Sequence, residues 1–204
     1  MAVVRIGLMV MGIVGAFFAL MERYRKQSRP HHAPEDVTAA VTQDIPGLVA
    51  DLENANWRVR LAAAKALYAL RAESAVPALV ECLADSDSDI RQIAAEAIGE
   101  IGAGEALPRI IALLDAPQQD TRIAAAQTLA YLREPSALPA LVAVLADESA
   151  WVREAAVKAL GVLRRNDAVA PLIPLLKDTD GSVRQAAQAA LHQIGTPEAL
   201  AALQ

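Results

Sequence analysis

Apolar residues are distributed along this chain in two ways. From Ile6 to Met21 they form one uncharged run, IGLMVMGIVGAFFALM, whereas from Asp44 onward they recur in short groups separated by polar stretches. The first pattern predicts a helix that is apolar all round, and the second a series of short amphipathic helices. Laid on itself, the second region repeats with a period of about 31 residues, in units 44–74, 75–105, 106–136, 137–167 and 168–198, with 199–204 beginning a sixth. The unit openings read DIPGLVADL, AVPALVECL, ALPRIIALL, ALPALVAVL and AVAPLIPLL; the second halves read VRLAAAKALYAL, IRQIAAEAIGEI, TRIAAAQTLAYL, VREAAVKALGVL and VRQAAQAALHQI.

Each unit reads as two helices joined by a turn. The first starts near a proline (Pro46, Pro77, Pro108, Pro139, Pro171), which a first turn tolerates because the missing N–H has no partner there. Polar stretches such as Asp85–Asp89 and Asp178–Gly181 mark the turn. The second helix carries alanines where it must approach its neighbours, with Leu or Ile between them. Neither helix can bury its apolar face alone, so the units must stack. The prediction is an all-α fold, an α-solenoid of about five helix pairs over residues 44–204, preceded by one N-terminal transmembrane helix.

A turn aspartate followed by Val-Arg, two alanines and Ala-Leu appears as Asp147, Val152, Arg153, Ala155, Ala156, Ala159 and Leu160, and again as Asp178, Val183, Arg184, Ala186, Ala187, Ala190 and Leu191. These residues resemble the HEAT-repeat family, within it the bacterial HEAT-like repeats of the phycobilin (PBS) lyase type. The resemblance covers 44–204, about four-fifths of the chain. It implies a stacked helix-pair fold. It does not select a function, because lyase subunits, scaffolds, transport adaptors and DNA-binding proteins share these repeats. The first and third units depart from the pattern at Asn54 and Thr121.

The N-terminal run extends to about 20 residues if Ala2–Val4 are included and Arg5 snorkels, which at ~1.5 Å per residue spans a ~30 Å hydrocarbon core. Arg23, Arg25, Lys26 and Arg29 follow it. Positive charge there opposes translocation, so residues 1–26 are expected to be a single-pass anchor of the cell membrane, N-terminus outside and repeats in the cytoplasm. The competing reading is a cleaved signal with Val14 and Ala16 at the cleavage pattern, which would export the protein. Gly12 with Ala16, and Gly15 with Ala19, would suit packing against another transmembrane helix or a second copy. Residues 27–43 read as a linker, containing His31 and His32, followed by a short capping helix.

Composition adds exclusions. Aromatic residues make up 3% of the chain and hydrophobic residues 54%, so the core must be aliphatic and built from closely spaced helices. Cys82 is the one cysteine, which rules out an internal disulfide, and its place among apolar residues predicts a raised thiol pKa. The formal charge of −5 conceals about +4 on residues 1–30 and thus roughly −9 on the rest, which disfavours nucleic acid as a partner. No catalytic, cofactor or metal constellation stands out, so the reading is a non-enzymatic scaffold for a protein partner. The resemblance leaves a lyase-like subunit or chromophore chaperone as the alternative.

Two polar columns run through the second helices. Arg60, Arg91, Arg122, Arg153 and Arg184 recur beside acidic turns, and are expected to tie one unit to the next rather than to bind an external anion. The stripe beside them, which the resemblance to HEAT-like solenoids implies lies on the concave side, is the candidate partner face: Leu61, Lys65, Tyr68, Gln92, Glu96, Ile123, Gln127, Glu154, Lys158, Gln185 and His192. Within it Leu61, Tyr68 and Ile123 are the expected apolar contacts. Trp57 and Trp151 fall at turns, where a tryptophan either anchors an interface or covers the end of its own helix pair; the second is the reading preferred.

Overall fold

The computed structural model describes residues 44–204. The predicted anchor, linker and capping helix, and with them Gly12, Gly15, Ala16 and Ala19, lie outside the described residues. Among the described residues no helix is long and apolar enough to cross a membrane.

The described chain is helical and falls into five helix pairs: α1 (Ile45–Asp51) with α2 (Trp57–Ala69), α3 (Val76–Glu81) with α4 (Ser88–Ile101), α5 (Leu107–Ala112) with α6 (Gln119–Leu132), α7 (Leu138–Ala143) with α8 (Ala150–Leu163), and α9 (Val169–Leu172) with α10 (Gly181–Ile194). A last helix, α11 (Pro197–Ala201), follows. From the second pair onward each first helix ends in a 3₁₀ turn, such as Cys82–Ala84 and Val144–Ala146. In the fifth pair Pro174 cannot donate to the carbonyl four residues back, so α9 stops at Leu172 and a 3₁₀ stretch, Ile173–Lys177, completes the span.

Five equivalent aliphatic residues, Leu67, Ile98, Leu129, Leu160 and Leu191, are fully buried, and so are Leu79, Ile110, Leu141 and Leu172 from the first helices. Between the second helices the seams are made of Ala63, Ala94, Ala125, Ala156 and Ala187, also fully buried. These small side chains let neighbouring second helices approach closely. Thr121 fills the buried position held by Val152 and Val183 elsewhere, where a residue of valine's shape fits. Thr128 is buried too, with its hydroxyl donating to the Ala124 carbonyl at 2.7 Å.

The turns hold the units together. The Asp85, Asp147 and Asp178 carboxylates each accept a bond from the backbone N–H two residues on, at 2.8 Å, and the Asn54 side chain does the same at 2.9 Å. The residue two positions after the turn Asp or Asn caps the second helix in three of the five pairs. Asn56, Asp87 and Asp180 accept first-turn N–H groups, while Gln118 and Ser149 at the same position make no side-chain cap bond.

Candidate functional site

Four arginines of the column, Arg60, Arg91, Arg122 and Arg153, tie one unit to the next as its register predicted. Arg184 on the last pair is exposed, and among the described residues its side chain bonds only the Asp178 and Thr179 carbonyls of its own turn. Arg60, Arg122 and Arg153 each reach the turn aspartate 25 residues on with two parallel bonds of 2.7–3.0 Å, to Asp85, Asp147 and Asp178. Their remaining nitrogens donate to carbonyls of their own turn, for instance Arg122 to Ala116 and Pro117. Planar two-point pairing of a guanidinium with a carboxylate, largely out of water, fixes both distance and angle between units. The Asp85 carboxyl is pushed up by burial, but the bonds from Arg60 and from the Asp87 backbone outweigh that and hold it below its ordinary value. The bond from Arg153 does the same for Asp178.

The second and third pairs are joined differently. Ala116 stands where the turn aspartate should be, and Arg91 turns instead to Asp120, on α6, at 2.7 Å. Asp120 corresponds in register to Arg58, Asp89, Trp151 and Ser182. The fourth pair has its turn aspartate, so this position is not needed for cohesion there, and it carries a tryptophan that is 66% exposed. Trp151 does not cover the end of its own helix pair as expected. Trp57 is exposed too, at 40%, with its ring 4.9 Å from the Arg58 guanidinium.

Trp151 forms one wall of a groove between α6 and α8, of about 300 Å³, lined also by Ile123, Gln127, Ala130, Glu154, Ala155, Lys158, Ala159 and Val162. Four residues of the predicted stripe therefore come together here: Ile123, Gln127, Glu154 and Lys158. Glu154 is half-buried and forms an ion pair with the exposed Lys158 one turn along. The rest of the stripe is not part of this site. Leu61, Tyr68 and Ile123 are all half-buried and pack against the core, and of the three only Ile123 lines this groove. Lys65, Gln185 and His192 are exposed on the end pairs. Gln92 is exposed on the second pair and bonds Glu96 at 2.9 Å.

Trp151 was absent from the predicted stripe because it sits one turn before it. Its signal was present nonetheless, as a large aromatic at a register position where every other unit is polar. Cys82 is buried, and burial followed by the Asp85 charge pushes its thiol up to about 12, as its apolar setting predicted.

The family model of HEAT repeats matches residues 45–118, 107–169 and 144–204. A solved structure of the complex of CpcE and CpcF of phycocyanin lyase from Nostoc sp. PCC7120 is similar at 28% identity over 84% of this chain and 71% of that one, with a TM-score of 0.58. YibA of Escherichia coli is similar at 21% identity over 85% and 69%, with a TM-score of 0.54. A computationally designed armadillo repeat protein for modular peptide recognition is similar at 22% identity over 78% and 90%, with a TM-score of 0.52. These last two show a shared fold alone. No curated protein matches the sequence.

Proposed function

Because the chain belongs to the HEAT-repeat family, we propose that it is a binding scaffold whose second-helix face holds a protein partner, and that residues 1–26 tether it to the cell membrane with the repeats in the cytoplasm. In this reading it is an accessory or assembly subunit of a membrane complex. One observation carries the binding half: a large aromatic exposed beside an open groove, on a face whose conspicuous charges are already spent on cohesion. The tether rests on the apolar run and the basic cluster after it, with Gly12, Gly15, Ala16 and Ala19 packing against a second transmembrane helix. The likeness to a lyase subunit solved in complex with another subunit supports a protein partner as well.

The test is photo-crosslinking in native membranes. One partner is expected to crosslink to the parent chain and to be lost from Ile123→Asp, while Leu61→Asp in the first pair retains it. Recovery of the chain in the soluble fraction would overturn the tether, and undiminished crosslinking to Ile123→Asp would overturn the assigned face.

A second reading, a phycobilin-lyase-like subunit or chromophore chaperone, is favoured by that same similarity. It predicts a bilin-dependent absorbance change when the protein is mixed with pigment.

A further inference from the structure

We propose that the groove between α6 and α8 is a socket for one aromatic side chain on an uncharged segment of the partner polypeptide. This inference rests on the scaffold reading and names the chemistry of its partner.

The argument is internal to the molecule, because the seam one unit earlier carries an aromatic ring of its own at the corresponding place. Shifted by one repeat, Ala130 becomes Gly99 and Val162 becomes Tyr131. Tyr131 lies directly over Gly99, so closely that a Cβ added there would come within 2.4 Å of the tyrosine Cβ. An aromatic residue of α6 thus covers the seam between α4 and α6. Between α6 and α8 the smaller Val162 lies beside Ala130, Ala155 and Ala159, and the space stays open.

Size and charge narrow the occupant. About 300 Å³ is at the low end of small-molecule sites and about twice the ~150 Å³ that holds a single benzene ring, room for one ring together with the backbone that carries it. Glu154 and Lys158 neutralise one another, so the lining offers no net charge to an ionic ligand. The bilin of the alternative reading, an extended dianion, is poorly matched on both counts. The exposed amide of Gln127, which can both donate and accept, suits the backbone of a peptide whose ring lies against Trp151.

The experiment titrates the full chain carrying Trp57→Phe, so that emission reports Trp151, with N-acetylphenylalaninamide, N-acetylalaninamide and N-acetylphenylalaninate. The phenylalanine amide is expected to give a saturable change at least about tenfold tighter than the alanine amide, and its carboxylate form to bind no more tightly. The pair Val162→Tyr with Ala130→Gly copies the closed seam, and is expected to abolish the change while the chain still unfolds in one cooperative transition, its midpoint lowered by no more than the helical glycine accounts for. A non-saturable response, equal affinity for the alanine amide, tighter binding of the carboxylate, or an unchanged titration of the copied seam would each overturn the socket. Membrane crosslinking separates this failure from that of the scaffold: a partner retained by the copied seam and lost from Ile123→Asp leaves the scaffold standing without the socket.

Discussion

Two adjacent seams of this solenoid meet the same requirement with different residues. Between the second and third pairs the arginine, Arg91, is held by Asp120, whose side chain is 58% exposed, and Tyr131 covers the groove beside it. Between the third and fourth pairs Arg122 is held by Asp147, with only 10% and 11% of the two side chains exposed, and the groove is open with Trp151 at its edge. Supplying the carboxylate from the turn frees the position one turn before the stripe. The second seam is therefore both the better tied of the two and the one with a surface left to offer.

Exchanging the parts tests that contrast most severely. Asp147→Ala strands a buried guanidinium whose other carboxylate, Glu148, is solvent-exposed and 3.8 Å away, so it should cost about 3 kcal/mol in urea unfolding. Placing Trp151→Asp in the same chain copies the Arg91–Asp120 arrangement, and should recover about 1 kcal/mol while eliminating the partner crosslink. A variant pair that recovers neither stability nor loses binding would break the comparison.

Acid should act next, on the seams tied by Asp85 and Asp178. Both carboxyls bind protons more weakly folded than unfolded, so the stability they contribute is complete above the ordinary carboxylate range. It falls as pH drops through that range toward their lowered folded values. Denaturant midpoints measured stepwise from neutral to strongly acidic pH should decline there, and Asp178→Asn should flatten the decline.

Smaller effects sharpen the picture. The Ser149 hydroxyl is buried without a partner at a cap position where Asp87 and Asp180 bond the helix. Ser149→Asp should therefore raise stability by about 1 kcal/mol, read as a shift in thermal midpoint. Asp120→Ala, removing an exposed single-point pair, should cost about 0.5 kcal/mol, several-fold less than Asp147→Ala.

The repeat, the helix pairs and the structural role of the arginines were all legible in the sequence, because each is dictated by register: Arg122 meets Asp147 wherever helices of this length stack. The groove was less so. Ile123, Gln127, Glu154 and Lys158 could be placed on one stripe. That stripe could not show that Tyr131 covers one seam while Val162 leaves the next uncovered, since this depends on the size of a residue reaching across from the neighbouring helix. Ala116 is the plainest case. Its effect is felt through Arg91 in the preceding unit and Asp120 in its own, and a motif read one unit at a time passes over it.

The most direct test places a photo-crosslinking amino acid at Gln127, in the open seam, and at Glu96, its equivalent in the covered one, in chains expressed in native membranes. The partner should be captured from position 127 and not from position 96, and capture should vanish when Val162→Tyr and Ala130→Gly are added. Equal capture from both positions, or capture that survives the copied seam, would contradict the assignment of the open seam as the binding site.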